Sequence, residues 1–273
     1  MGRTLVIGDV HGSAKALEQV LDRCNFDPLR DKLISIGDIA DGWSEVSECV
    51  DILLDIKSKS GEENEPVFIR GNHDVWMYDW MKFGTTPSLW TTQGGQATLD
   101  SYIRTDKVGD SDHKSFWSEQ EDWYIDEKNN LFIHGGWDYS LMKLGWEDLS
   151  PRELFEKQAN DWYGSTVDIG SIARSCHWDR DIWHGSQSGA VKNRKTGEPS
   201  GFNPLKQFNQ VYIGHTEIRT KDGSLPQPIN NINLWNVDTG AGWGGCLTIM
   251  DIDTHEFWQS ELSRNLYPNE KGR

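Results

Sequence analysis

Five short segments of the chain set glycine beside residues that bind hard metal ions or move protons. They are Gly8-Asp9-Val10-His11-Gly12, Gly37-Asp38-Ile39-Ala40-Asp41-Gly42, Gly71-Asn72-His73-Asp74, Ile133-His134-Gly135-Gly136 and Gly214-His215-Thr216. Singly, each has an ordinary structural role: an Asp before a turn closes an Asx-turn or caps a helix, and a strand-end His is a locally satisfied polar residue. Together, in order and each following an apolar run, they point to one centre. Carboxylate, imidazole and amide donors without thiolate suit manganese, or iron with zinc, better than calcium or the copper sites built on cysteine. Asp9 and Asp38 are too far apart in sequence to share a helix face. They are expected at neighbouring strand ends, with Asp38 bridging two ions.

The elements that would carry these segments are legible. Thr4–Ile7, Leu33–Ile36 and Val67–Ile69 read as buried strands, each ending in a glycine-containing turn. Between them lie helices with apolar positions Ala14, Leu17, Val20 and Leu21, then Val46, Val50, Leu53 and Leu54, with Ser13 and Ser44 as expected N-caps. This β-α-β-α-β order implies parallel pairing, and ligands collect at the carboxyl ends of such strands. From Trp76 to about Asn130 the pattern becomes helical and aromatic, broken by Gly84, Pro87 and Gly94-Gly95, and reads as an inserted helical section. Leu131–Ile133, Val211–Ile213, Leu234–Val237 and Cys246–Met250 suggest a second sheet. Ser150-Pro151-Arg152-Glu153 has the form of a capping box opening a helix to about Tyr163. Gly185–Asn203, rich in Gly, Ser, Asn and Lys, is the long loop candidate, with Lys192, Arg194 and Lys195 as solvated surface. Residues 1–273 are expected to form one α/β domain.

Composition excludes several classes. No stretch approaches the roughly 20 apolar residues of a membrane-spanning helix, and the amino terminus enters a strand-like run too soon for a signal peptide, so a cytoplasmic protein is expected. With 27 basic and 43 acidic residues the formal charge is -16, which disfavours long nucleic acids as partners. Cys24, Cys49, Cys176 and Cys246 are scattered without a Cys-x-x-Cys pair and are expected as reduced structural thiols. Fourteen tryptophans are many for this length, and Trp43, Trp76, Trp137, Trp178 and Trp243 lie beside candidate site residues. Their expected role is packing of the core and rim.

The segments together resemble the calcineurin-like metallophosphoesterases of the phosphoprotein-phosphatase branch, whose signature is Gly-Asp-x-His-Gly, Gly-Asp-x-x-Asp-Arg-Gly and Gly-Asn-His-Glu/Asp. Trp178-Asp179-Arg180-Asp181, Gly214-His215-Thr216 and Asp238-Thr239-Gly240-Ala241 extend the similarity, which spans roughly residues 4–252. It implies a four-layer α/β/β/α sandwich with mixed sheets. It also implies two divalent ions, manganese foremost with iron or zinc as alternatives, the first held by Asp9, His11 and Asp38 and the second by Asp38, Asn72, His134 and His215. A metal-bridging hydroxide would then be the nucleophile. By the same resemblance His73 is the general acid oriented by Asp41, and Arg180 with Asn72 contacts the substrate phosphate. One departure stands out: Asp41-Gly42-Trp43 replaces Asp-Arg-Gly, so one phosphate-contacting arginine is absent, and Arg180 is a better candidate than Arg70 to compensate. The expected substrate is a phosphorylated protein or a small phosphoester, with a serine/threonine protein phosphatase-like phosphomonoesterase as the leading function. A nucleotide-directed hydrolase (dinucleoside tetraphosphatase or phosphodiesterase), with Trp43 or another rim tryptophan stacking on a base, is the second reading. An inactive metal-binding interaction protein is the third.

Overall fold

The computed structural model describes residues 2–137, 176–192, 197–202, 205–220 and 223–273. Strand β1 (Thr4–Ile7) pairs in parallel with β2 (Lys32–Ser35), and β2 with β3 (Val67–Phe68). The crossovers are helices α1 (Ala14–Arg23) and α2 (Val46–Lys59). Antiparallel β11 (Thr248–Asp251) and β12 (Phe257–Gln259) complete a mixed five-stranded sheet in the order β12-β11-β1-β2-β3. A second mixed sheet has the order β4-β5-β8-β10-β9, built from β4 (Trp123–Ile125), β5 (Leu131–Ile133), β8 (Val211–Ile213), β9 (Ile229–Asn231) and β10 (Leu234–Asn236).

Strand periodicity explains how the layers stack, because successive side chains point to opposite faces. In β1, Leu5 and Ile7 pack with Leu17, Val50 and Leu53 of α1 and α2, while Val6 between them faces the other sheet. In β5 and β8, Phe132 and Tyr212 turn inward and stack with centroids 4.9 Å apart. Their neighbours Leu131, Ile133, Val211 and Ile213 face Ile182 and Trp183 of helix α7 (Asp181–Ser188). Helix, sheet, sheet and helix therefore enclose three apolar seams, the central one joining Val6, Ile34, Ile36, Phe132, Tyr212 and Met250.

Between the sheets the chain is helical: α3 (Asn72–Phe83), α4 (Ser88–Trp90), α5 (Gln96–Arg104) and α6 (Ser111–Glu119). Ser13 sits at the N-cap of α1 but makes no side-chain capping bond, and Ser44 does not cap α2. Ser13 donates its hydroxyl back to the Val10 carbonyl, and Ser44 donates to Glu270 at 2.8 Å, so α2 starts later, after Glu45. Part of the expected loop 185–203 is also ordered. Helix α7 runs to Ser188, Gly189 closes it at φ 72°, and β6 (Ala190–Lys192) pairs antiparallel with β7 (Pro199–Gly201). The expected helix 150–163 lies outside the described residues, as do Arg194 and Lys195. All four cysteines are buried and free, and among the described residues no helix is long and apolar enough to cross a membrane.

Candidate metal centre

The carboxyl ends of five strands converge. Asp9 and His11 follow β1, Asp38 and Asp41 follow β2, and Asn72 opens α3 just after β3. His134 follows β5 and His215 follows β8, so both sheets contribute. Backbone bonds hold the turns together: Val10 and His11 donate to the Asp38 carbonyl at 3.1 and 2.8 Å, and Gly214 donates to the His134 carbonyl at 2.9 Å. His11, Asp38, Asp41 and His215 sit at φ 49°, 49°, 72° and 65°, a left-handed conformation that non-glycine residues adopt at a cost of about 1–3 kcal/mol each. Such strain persists only where surrounding contacts enforce it.

Each imidazole of the centre has one ring nitrogen committed and one left over. His11 Nδ1 donates to the Ala40 carbonyl at 3.0 Å, His134 Nδ1 to the Ile36 carbonyl at 2.8 Å, and His215 Nε2 to the Trp178 carbonyl at 3.2 Å. That fixes the tautomers and leaves the lone pairs of His11 Nε2, His134 Nε2 and His215 Nδ1 turned into the centre, the arrangement by which backbone carbonyls orient metal-binding histidines, with Arg273 Nη1 3.4 Å from the first. Asp38 Oδ2 lies 3.6 Å from the first and 3.3 Å from the second. Its other oxygen accepts from the His73 backbone N–H at 2.9 Å.

A metal pair fits these residues. Asp38 Oδ2 and His215 Nδ1 are buried without a hydrogen-bond partner, a costly state unless a cation completes them. Asp9, His11 and Asp38 form one set of ligand atoms lying within 4.8 Å of one another; Asp38, His134 and His215 form another, with Asp38 common to both. Asn72 joins the second, its Oδ1 3.3 Å from His134 Nε2. Electrostatics agree: burial, then the charges of Asp238 and Asp38, push the Asp9 carboxyl well above the usual range. Burial acts the same way on Asp38, but the neighbouring His134 and His73 overcome it and hold that carboxyl well below the usual range. Asp9 thus lacks a counter-charge that a divalent ion would supply.

Beside this set lies a buried histidine–aspartate pair. His73 Nδ1 meets Asp41 Oδ2 at 2.5 Å, while His73 Nε2 is buried without a protein partner. Burial drives the imidazole down to about 3 and the Asp41 carboxyl well above its usual range, so both oppose isolated charge in a dry site. A protonated His73 is therefore tenable here only against an Asp41 carboxylate. That carboxylate is held by residues that sequence reasoning missed: Thr98 donates to Oδ1 at 2.6 Å, and Trp90 Nε1 reaches the two oxygens at 2.9 and 2.8 Å. Asp74 was also missed as an organiser. It accepts from the backbone N–H groups of Ile39, Ala40 and Gly71 at 2.8, 3.0 and 2.9 Å, tying two ligand-bearing turns together.

The phosphate edge differs more from expectation. Arg180 is half-buried, and its charge helps lower both His215 and His73. Arg70 faces away, donating to the Trp117 and Ser118 carbonyls and lying over Tyr78. Trp43 is no rim residue: it is 1% exposed, stacks on Tyr267 and donates Nε1 to the Ala241 carbonyl at 2.9 Å. The expectation that it stacks on a base is therefore withdrawn. Among the described residues Trp243 is the exposed indole, at 52%. A cleft of about 1100 Å³ opens elsewhere, lined by Lys57, Glu62, Glu119 and Tyr124 among others, and no candidate ligand reaches it.

Glycine is required where backbone passes close to the ligand carboxylates. A Cβ at Gly214 would lie 2.0 Å from Asp9 Oδ1, and one at Gly71 would lie 2.1 Å from Asp38 Oδ1. Gly214→Ala is expected to cost about 1–3 kcal/mol in stability through overpacking and to displace Asp9. Thermal unfolding and metal content together check this. An unchanged melting temperature with full metal loading would contradict it.

Residues 2–216 match the family described as calcineurin-like phosphoesterase. A symmetrical bis(5'-nucleosyl)-tetraphosphatase of Pseudomonas fluorescens is 22% identical, with 96% of each chain covered. Serine/threonine-protein phosphatase 1 of Salmonella typhimurium is also 22% identical, with 90% of each covered. The solved structure of a protein serine/threonine phosphatase from Saccharomyces cerevisiae shares the fold at a TM-score of 0.59 and 13% identity, covering 95% of this chain and 80% of that one.

Proposed function

The chain belongs to the calcineurin-like phosphoesterase family and is a hydrolase of phosphate esters, and on that premise we propose that it acts on phosphomonoesters with alkoxide leaving groups, phosphorylated serine and threonine side chains foremost. The observation that carries this reading is the buried His73–Asp41 pair, with its free Nε2 beside the ligand set. A serine or threonine alkoxide is strongly basic and leaves only if protonated, whereas a nucleotide phosphate leaves readily without help. A positioned acid contributes about 10²–10⁴-fold and is worth most to the poor leaving group. In this role the imidazolium of His73, stabilised by the Asp41 carboxylate on Nδ1, delivers its Nε2 proton to the departing oxygen and is left as the neutral ring still bonded to Asp41, which Thr98 and Trp90 orient.

Asp9, His11 and Asp38 would hold one divalent ion, and Asp38, Asn72, His134 and His215 the other, manganese being the expected metal. Such a pair supplies a water activated at neutral pH and a clamp on the phosphoryl oxygens. Arg180 contributes a planar, permanently charged guanidinium suited to those oxygens, and Asn72 has its amide nitrogen available beside them.

One observation favours a second reading, hydrolysis of nucleotide-like substrates. The exposed indole of Trp243 follows Gly242, whose backbone packs so closely on His11 that a Cβ there would come within 2.3 Å of the ring. A base could stack on that indole. Steady-state kinetics with manganese on a phosphoserine peptide, a dinucleoside tetraphosphate and a bis-aryl phosphodiester separate the two. The phosphopeptide is expected to have the highest kcat/KM; a lead of about tenfold or more for the tetraphosphate or the diester would overturn the phosphomonoesterase reading.

A further inference from the structure

We propose that Arg273 is a phosphate-contacting and specificity-determining residue of this centre, brought to it by the segment 267–273 folding back across Trp43. The proposal rests on the reading of the centre as a phosphoester site. Segment 267–273 is pinned along its length. Tyr267 stacks on Trp43 with centroids 5.1 Å apart, accepts from the Lys15 backbone at 3.1 Å and donates its hydroxyl to Glu45. Glu270 accepts from the Ser44 backbone and hydroxyl at 3.0 and 2.8 Å. Gly272 packs so tightly that a Cβ would lie 2.7 Å from both the Gly242 carbonyl and Trp43 Cζ2, and the Arg273 backbone N–H donates to that carbonyl at 2.8 Å.

These anchors deliver the guanidinium to the ligand set. Arg273 Nη1 lies 3.4 Å from His11 Nε2, and the guanidinium carbon sits 5.4 Å from the centroid of Trp243. Its charge acts on Asp9, His11, Asp41, His73 and Arg180, groups spread across the whole centre. Among the described residues no carboxylate lies within ion-pair distance of either Arg273 or Arg180. The two guanidiniums repel each other across one buried centre, where Asp38 and Asp9 act on Arg180 without offsetting its burial and the charge of Arg273, and an oxyanion between them relieves that repulsion while accepting their N–H groups. Gly42 leaves the room. A Cβ there would already meet the His11 carbonyl at 3.1 Å and stand 3.8 Å from the Arg273 nitrogen, so a longer side chain would collide with the segment.

The test pairs binding with turnover. Inorganic phosphate is titrated calorimetrically into the manganese-loaded full chain, the Arg273→Ala and Arg273→Lys variants are compared, and metal content is measured in each. Arg273→Ala is expected to weaken phosphate binding about tenfold and to raise KM for an aryl phosphate by a similar factor, with kcat within about twofold; Lys restores part of the loss. Metal content stays that of the parent. If Arg273→Ala binds phosphate as the parent does, Arg273 has no such role while the phosphoester site stands. Tighter binding in that variant would make the guanidinium a plug and overturn the proposal. A parent chain that loads metal but binds no phosphate would overturn the site reading, and this proposal with it.

Discussion

Asp38→Asn is expected to empty both metal positions and to lower kcat on an aryl phosphate by about 10³-fold or more, the largest loss from any single substitution in the chain. The reason is local. Asp38 Oδ1 is occupied by the His73 backbone N–H, whereas Oδ2 faces His11 Nε2 and His134 Nε2 and is buried without a hydrogen-bond partner. The same residue belongs to both ligand sets. An amide has no charge to offer two cations. In one orientation it would aim an NH₂ at the ions, and in the other it would give the His73 backbone N–H a donor instead of an acceptor. The fold should tolerate the change, since size is conserved and the turn at Asp38 is held by backbone bonds from Val10 and His11. Metal stoichiometry by mass spectrometry decides the matter. Two ions per chain in a folded Asp38→Asn protein would show that Asp38 is not the shared ligand.

The convergence of the candidate ligands is legible for a reason specific to this architecture. Asp9, His11, Asp38, Asn72, His134 and His215 each follow a short apolar run and adjoin a glycine, so the local sequence encodes both the strand end and the donor. Short apolar runs bounded by turns likewise make β1, β2, β5 and β8 readable to within a residue. What escaped depends on distant partners. Thr98 and Trp90 hold Asp41 from the helical section, and nothing near them in sequence marks them as oriented toward the centre. Ser13 and Ser44 have the right chemistry for helix caps, yet a carbonyl and a distant glutamate took their hydroxyls. The β6–β7 hairpin reads as loop because three-residue strands rich in polar residues and glycine carry too short a pattern.

Trp43 and Arg273 show the same limit from two sides. The change from arginine to Gly42-Trp43 was visible as a departure, but its meaning was not, because Trp43 is the floor on which residues 267–273 rest. A buried indole with its N–H satisfied by Ala241 is a structural anchor. The motif departure and the distant arginine therefore form one feature, separated by most of the chain.

His73→Asn is the second large effect, and its size should depend on the leaving group. With an alkyl phosphate or a phosphoserine peptide the loss in kcat is expected at about 10²–10⁴-fold, because the departing alkoxide then lacks a proton donor. With a nitroaryl phosphate, whose phenolate leaves without protonation, the loss should shrink to about tenfold or less. Metal content is expected to be unchanged, since the His73 backbone N–H rather than its ring bonds to Asp38. That separates proton donation from metal binding, which an activity loss alone would confuse. Asp41→Asn should follow the same leaving-group trend through His73, because the 2.5 Å contact to Nδ1 is what sustains a charged ring in a site where burial opposes one. Equal losses on both substrate classes with both ions bound would mean that His73 positions the phosphate instead of protonating the leaving group. The phosphoserine-directed reading would then lose its main support, while the metal-dependent phosphoesterase chemistry would stand.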